Sequence, residues 1–203
     1  MAAPIDIAGE FAAAGEALQR KGWDSLAHLG LTRAAVEAIG FAGIARVRGY
    51  ADGRYWLSAQ GTPAVIVPAY AGRIYDAAGG WGSALIDLVA WIPNIGGKGQ
   101  GDRLLTRLGE AKLLGAAELA DAVGQGLALR LFRNPGGWGA AGAVGAVVLD
   151  WRGAAALFNL PALVAEDASH AAEINRNLRR LRARLMPRLP DIAVMDQRAA
   201  DAA

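Results

Sequence analysis

The chain has 203 residues, of which 54% are hydrophobic and 20% are charged, so it can bury a core without disulfide or metal cross-links. It contains no cysteine, which excludes disulfides, thiol catalysis and thiolate metal ligands. The net charge is only +2, so the composition as a whole does not indicate a nucleic-acid-binding protein.

The N-terminal segment predicts two helices and no targeting signal. MAAPIDIAGEF lacks a basic region followed by an apolar block, and no stretch of roughly 20 residues is continuously apolar. We therefore expect a cytoplasmic protein without a membrane contact. Residues 8–21 predict a helix with Phe11 and Leu18 on its apolar side, and LGLTRAAVEAIGF predicts another with Thr32 as N-cap and Gly40 as its stop.

Short strands follow these helices. IARVRGY, GRYWLSA and PAVIVPAY are rich in β-branched and aromatic residues and predict an antiparallel hairpin followed by a more buried strand. SALIDLVAW fits either a strand or a short helix. PNIGGKGQGD, residues 93–102, predicts a surface loop whose glycine and lysine spacing does not match a phosphate-binding loop. Tyr50, Tyr55 and Trp56 fit either core packing or a stacking surface for bases.

The second half of the chain alternates regularly between strands and helices. Residues 127–132, 145–150 and 161–165 predict strands, and 191–195 predict a final short one. We therefore predict an α/β fold, with a small mostly parallel sheet and flanking helices in residues 111–203. Residues 1–110 are predicted as an α+β part with an antiparallel hairpin. The two parts can also form one continuous domain.

Three acidic residues follow predicted parallel strands, where α/β proteins bind ligands. Asp150 follows AVVL, and Glu166 and Asp167 follow ALVA. If these strands are neighbours, the three carboxylates converge and can bind magnesium, with Asp150 and Glu166 as candidate catalytic residues. The alternative is that Asp150 and Asp167 cap helices, which explains Glu166 least well. His170, one turn further on, is either an acid–base or ligand residue or a packed histidine. Beyond that possible magnesium ion, no cofactor is expected.

A long amphipathic helix is predicted from this point to about Met186. Its apolar seam is spaced three and four residues apart and consists of Ala171, Ile174, Leu178, Leu181 and Leu185. Arginines recur on the opposite side. The candidate nucleic-acid-binding residues are Arg176, Arg179, Arg180, Arg184 and Arg188. This face fits a row of phosphate contacts, an acidic protein partner or a merely solvated helix surface.

The motifs GTPAVIVPAYAGRIYD, residues 61–76, and PALVAEDASHAAEI, residues 161–174, carry a family resemblance. They resemble the core of bacterial-type primases with a Toprim domain, and the organisation is similar to that of small uncharacterised proteins of phages and other mobile elements. The resemblance implies that Glu166 is the metal-binding or acid–base glutamate. Asp167 stands where the family has glycine, and Arg198 replaces the second acid of its later Asp-x-Asp motif, so the resemblance implies a relative that does not catalyse.

The expected function is therefore that of a replication-associated, nucleic-acid-binding accessory protein of a phage or mobile element. Two alternatives remain open at this point. One is an oligomeric interaction or structural module without nucleic-acid binding, in which the tryptophans and alanine-rich faces form the contact. The other is a magnesium-dependent phosphotransfer or nuclease enzyme that uses Asp150, Glu166 and Asp167.

Overall fold

The computed structural model describes residues 4–29, 31–72, 74–75, 81–94 and 102–185, and the fold within these ranges is mixed α/β. A five-stranded antiparallel sheet forms the framework of the N-terminal part, and a four-stranded mixed sheet forms that of the C-terminal part. Within the described ranges, no helix combines the length and the apolar character that crossing a bilayer requires.

Two capped helices open the chain, as the sequence predicts. Helix α1 spans Ile7–Lys21, a 3-10 helix spans Trp23–Leu29, and α2 spans Arg33–Ala38. The side chain of Thr32 accepts a hydrogen bond from the Ala35 N–H at 3.1 Å, so the predicted N-cap is confirmed. After α2 the chain turns through Gly40, whose φ of 77° lies in the left-handed region that favours glycine.

Seven strands lie in the described residues of the antiparallel part. They are β1 (Gly43–Gly49), β2 (Tyr55–Leu57), β3 (Thr62–Tyr70), β4 (Ile74–Tyr75), β5 (Trp81–Gly82), β6 (Leu85–Ile92) and β7 (Arg103–Thr106). The main sheet has the order β2-β1-β3-β6-β7, and β4 and β5 pair separately with each other. The predicted hairpin is thus β1–β2, and SALIDLVAW is resolved as the strand β6.

The main sheet curls so that its two ends approach each other. Thr106 of β7 forms an isolated bridge with Arg54, and its N–H donates to the Gly53 carbonyl at 3.0 Å. The central strand β3 is buried on both faces, because Ala64 and Ile66 pack with α1 while Val65 and Val67 pack towards α2. Arg54 and the β1–β2 turn are thereby held beside the end of β7.

A buried carboxylate organises the loop that leaves β7. Asp87 of β6 is 0% exposed. Its two oxygens accept five backbone N–H groups at 2.8–3.1 Å, from Leu88, Arg107, Leu108, Glu110 and Ala111. The Arg107 side chain in the same loop forms a bidentate ion pair with Glu10 of α1, and both N–O distances are 2.8 Å. These contacts fix the position of the next residue with a cationic side chain, Lys112.

The C-terminal part alternates strands with helices. Its elements are β8 (Leu113–Leu114), α3 (Ala116–Gln125), β9 (Leu129–Phe132), α4 (Pro135–Ala140), β10 (Ala146–Val148), β11 (Leu163–Val164) and α5 (Ala168–Leu185), with 3-10 helices at Trp151–Gly153 and Ala155–Asn159. The strand order is β11-β9-β10-β8. Strand β9 pairs in parallel with β10 and β11, and β8 is antiparallel to β10.

Several details differ from the predictions for this part. Between the predicted strands 145–150 and 161–165, where the alternation predicts a helix in WRGAAALF, the chain forms two short 3-10 helices, with Gly153 at the end of the first of them. The predicted strand 161–165 is shorter than expected: only Leu163 and Val164 pair, at the edge of the sheet, and Val164 is 48% exposed. An edge strand has a neighbour on one side only, so fewer contacts cover it. Residues 191–195 lie outside the described ranges.

One hydrophobic cluster joins the two parts. Val67 and Trp91 of the antiparallel sheet pack in the same cluster as Phe132, Trp138 and Val147 of the C-terminal part. The Asp102 carboxylate adds a polar link, since it accepts hydrogen bonds from the Trp91 indole at 3.0 Å and from the Asn134 amide at 2.6 Å. The division near residue 110 stays a prediction, and the described residues on its two sides share this core.

Candidate functional site

The three predicted acids do not follow neighbouring strands. Asp150 follows β10 and Glu166 follows β11, but β9 lies between these two strands. Strands in a sheet lie about 4.8 Å apart, so the backbones of β10 and β11 are separated by roughly 10 Å. The condition on which convergence depended, that the strands are neighbours, is therefore not met.

Asp150 has the capping role that the sequence offered as an alternative. Its Oδ1 accepts the Arg152 N–H at 3.0 Å, at the start of the 3-10 helix. Its carboxylate also contacts the Arg152 Nε at 3.0 Å and the Lys112 Nζ at 3.6 Å. Partial burial raises the pKa of Asp150, but the hydrogen bonds from Arg152 together lower it by more. The pKa of Asp150 therefore lies below its usual value.

Asp167 caps α5 and binds an arginine. Its Oδ1 accepts the His170 N–H at 2.9 Å, and its two oxygens receive the Arg133 Nη1 and Nη2 at 2.7 and 2.8 Å. The hydrogen bonds from Arg133 lower the pKa of Asp167 well below its usual value. Both predicted caps at Asp150 and Asp167 are thus confirmed.

Glu166, the acid for which capping was the weakest explanation, is bound at the end of β9, the strand that separates it from Asp150. Its Oε2 accepts the backbone N–H of Arg133, directly after β9, at 2.8 Å. Its Oε1 lies so near α4 that a Cβ added at Gly137 would be 2.8 Å away. The glutamate therefore satisfies a main-chain donor at the end of β9 and occupies space that glycine leaves free.

The contacts divide the acids into two sets. Asp150 pairs with Lys112 and Arg152, whereas Glu166 and Asp167 share Arg133. In the described part of the chain, no group of three or more histidine, aspartate or glutamate side chains is arranged to bind a metal ion. The magnesium-binding role of Asp150, Glu166 and Asp167 and the catalytic role of Asp150 and Glu166 stay predictions.

The carboxyl ends of the parallel strands nevertheless form a cleft of about 340 Å³. Its lining includes Arg133 and Asn134 after β9, Trp151 after β10, His170 and Glu173 of α5, and Asp102. Asn134 caps α4 with its Oδ1 and donates its amide to Asp102, so it is fixed from two sides. This cleft lies where ligands bind in open α/β sheets.

His170 is a buried, neutral member of this cleft. It is 5% exposed, and its Nδ1 accepts the Glu166 N–H at 3.3 Å, which places the ring proton on Nε2. Burial lowers the pKa of His170, and the nearby Arg133 guanidinium lowers it further. The histidine is thus a packed residue whose ring orients the turn before α5.

We expect the stability of the fold to depend on the protonation of His170. Its pKa is lower in the folded state than in the unfolded state, where it is about 6.5, so the unfolded chain binds the proton first. The free energy of unfolding should therefore decrease as the pH falls below about 6.5. Urea denaturation between pH 7.5 and 5 measures this decrease, which should be smaller in His170→Asn, whose side-chain oxygen can still accept the Glu166 N–H. Parallel pH profiles for the two proteins would contradict it.

Helix α5 presents the predicted arginines to solvent. Its buried residues are His170, Ile174 and Leu181. Four of the predicted residues lie in the described part of the helix and are exposed: Arg176, Arg179, Arg180 and Arg184. The apolar seam is shorter than predicted, since Leu185 is 51% exposed. Arg188 lies outside the described residues.

The candidate stacking residues separate into core and surface. Tyr55 is 1% exposed and belongs to the core of the curled sheet. Tyr50 is 54% exposed, and Trp56 is partly buried. The rings of Tyr50 and Trp56 contact each other, with centroids 4.1 Å apart. Only these two of the three aromatic residues are therefore available at the surface.

No protein-family model matches this chain, and comparisons with curated proteins and with solved structures found no similar protein.

Proposed function

We propose that this protein binds nucleic acid and that the exposed face of α5 contacts the phosphates. The observation that carries the proposal is the charge of that helix. Residues 168–185 contain five arginines and one glutamate, and the glutamate, Glu173, precedes all of the arginines. Arginine is suited to this role because its planar guanidinium donates hydrogen bonds that match the geometry of phosphate oxygens.

The pairing of these arginines distinguishes α5 from the first two helices. In α1, Arg20 lies 3.6 Å from Glu16, and in α2, Arg33 lies 2.9 Å from Glu37, each pair at a spacing of four residues. In α5, none of Arg176, Arg179, Arg180 and Arg184 has an ion pair with a described residue. Such pairs offset the charge of one arginine in each of α1 and α2, whereas an unpaired row of arginines attracts anions.

The wider role that we propose is that of a non-catalytic accessory protein in the replication of a phage or mobile element. This part of the proposal depends on the resemblance to Toprim primases. Its support from the fold is indirect: Glu166 and Asp167 bind Arg133, so their oxygens are already used by the protein. Binding without phosphotransfer chemistry is consistent with these contacts.

The test replaces Arg176, Arg179, Arg180 and Arg184 together with glutamine. Each phosphate contact contributes about 0.7–0.9 to the slope of log affinity against log salt, so the slope should decrease by about 3. Fluorescence anisotropy with a labelled oligonucleotide at several salt concentrations measures it.

The matched control removes four exposed positive charges elsewhere, with Arg20, Lys21, Arg33 and Arg103 changed to glutamine. Both variants have the same net charge, so a long-range charge effect would change them equally. A slope that decreases equally in both, or no binding by the unmodified protein at low salt, would overturn the proposal.

A further inference from the structure

The exposed aromatic pair lies on a sheet face that also carries arginines. Arg48 is the cross-strand partner of Trp56 in the β1–β2 ladder, so both side chains point to the same face. Arg46 lies two residues before Arg48 on β1, and Tyr50 lies two residues after it, directly beyond the end of the strand, so the alternation of side chains places both on this face. Arg46 and Arg48 are both exposed, and the Arg48 Nη2 donates to the Gln60 side chain at 3.3 Å. The surface therefore combines aromatic rings with positive charge.

This surface continues into a polar cleft through the β1–β2 turn. The Tyr50 N–H donates to the Arg54 carbonyl at 2.7 Å, and Arg54 lines a cleft of about 480 Å³. Lys112 and Arg152 also line this cleft. Their partners are Asp52, which pairs with Arg54 at 2.7 Å, and Asp150, which pairs with both Lys112 and Arg152.

The cations of the cleft remain accessible despite these pairs. The side chains of Arg54, Lys112 and Arg152 are 53%, 43% and 72% exposed. Exposed ion pairs contribute little to stability, so they impose only a small cost on a competing phosphate. With three cations and two carboxylates, the cleft keeps an excess of positive charge.

The end of the cleft at Arg152 lies next to α5. Arg152 belongs to the 3-10 helix Trp151–Gly153, which packs against α5. Basic side chains therefore line the cleft from Arg152 through Lys112 to Arg54, which is hydrogen-bonded to Tyr50 across the β1–β2 turn. A phosphate backbone that follows this surface reaches the aromatic pair.

We infer that the nucleic acid is single-stranded, with its phosphates along this basic surface and a base stacked on the Tyr50–Trp56 pair. The inference rests on the proposed function and adds the class of nucleic acid to it. Trp56 covers one side of Tyr50, and the exposed remainder of the tyrosine ring is the surface that a base can contact. Within a duplex the neighbouring base pairs cover both faces of each internal base, so away from duplex ends a base must be unpaired to stack here.

The test uses strands that differ only in their bases. Labelled dT and rU oligonucleotides of about 20 nucleotides exceed the roughly 4–16 nucleotides that one single-strand-binding OB-fold domain occupies. The oligonucleotide that binds with the higher affinity is compared with an abasic strand of equal length and charge and with a duplex. We expect the strand with bases to bind about 5- to 100-fold more tightly than the abasic strand.

Two substitutions assign this preference to the aromatic pair. Tyr50→Ala should remove most of the difference in affinity between the base-containing and the abasic oligonucleotide. It should not change the salt slope, because Tyr50 contributes no charge. Tyr50→Phe keeps the ring and should retain the preference. Tyr50 is exposed, so neither substitution opens a cavity in the core, and far-ultraviolet circular dichroism with thermal unfolding verifies the fold of each variant.

The outcomes separate this inference from the proposed function. Equal binding of the base-containing and abasic strands, together with a salt slope that decreases in the α5 variant, would overturn the stacking inference and leave the proposed function standing. A base preference that depends on Tyr50, with a salt slope unchanged in the α5 variant, would support stacking and overturn the role of α5. Preferential binding of the duplex would overturn the single-strand inference, and no binding of any strand would overturn both.

Discussion

Replacing Asp87 with asparagine is expected to lower the free energy of unfolding by about 3–5 kcal/mol, because hydrogen bonds to a buried carboxylate are strong and their buried donors lose their partners. Oδ1 accepts the N–H groups of Leu88, Arg107 and Leu108, and Oδ2 accepts those of Glu110 and Ala111. An asparagine has one oxygen, so its amide NH₂ would face at least two main-chain donors.

Urea denaturation at neutral pH measures this change. Asp52→Asn is a suitable control, since Asp52 is exposed in the β1–β2 turn and its amide oxygen can still accept the Arg54 N–H. We expect the control to change the free energy of unfolding by less than about 1 kcal/mol. If Asp87→Asn were as stable as this control, the prediction that the five hydrogen bonds to Asp87 stabilise the fold would be wrong.

The second large effect is expected at the ion pair between α1 and the loop after β7. The side chains of Glu10 and Arg107 are only 19% and 15% exposed, and both of their hydrogen bonds are 2.8 Å long. Glu10→Gln leaves the Arg107 guanidinium partly buried beside a neutral amide. We expect a loss of about 2–3 kcal/mol, somewhat less than for a fully buried pair, because some solvent reaches both groups.

The same helix provides a matched control. Glu16 and Arg20 also form an ion pair in α1, but their side chains are 69% and 71% exposed. Glu16→Gln removes the same charge and should cost no more than about 0.5 kcal/mol. A double-mutant cycle with Arg107→Gln isolates the coupling between Glu10 and Arg107. A coupling energy indistinguishable from that of the exposed pair would contradict the prediction.

Both effects concern the loop that carries Lys112 to the cleft beside Arg54 and Arg152. Asp87 binds its backbone, and Glu10 binds its arginine side chain. The Lys112 Nζ also donates to the Gly109 carbonyl at 2.8 Å. The position of one cation of the proposed binding surface therefore depends on buried polar groups elsewhere in the fold, which links the stability of this loop to binding.

Local patterns predicted most of the helices and strands. The N-cap at Thr32, the hairpin and the amphipathic character of α5 were recognisable because capping and hydrophobic periodicity involve residues close in the chain. The single acid in the apolar run ALIDLVAW was a signal for the buried role of Asp87, since a charge inside a buried strand needs partners. Its donors lie up to 24 residues away, so no local pattern could identify them.

The candidate site was predicted less completely. Exposure of the α5 arginines followed from their spacing opposite the apolar positions. The arrangement of the acids did not, because it depends on strand order: β9 inserts between β10 and β11 and brings Arg133 to Glu166 and Asp167. The cleft residue Asp102 was also missed, since its partners Trp91 and Asn134 come from different parts of the chain.

The sequence by itself determined the mixed α/β character of this protein, the cap at Thr32 and the positive charge of α5, and it offered caps at Asp150 and Asp167 as one of two alternatives. Periodicity, capping and charge are properties of neighbouring residues and survive in any arrangement of the elements. Only the tertiary structure decided that Asp150 lies apart from Glu166 and that Tyr55 is buried while Tyr50 and Trp56 meet at the surface. Those outcomes depend on strand order and on the curl of the sheet, which long-range packing sets.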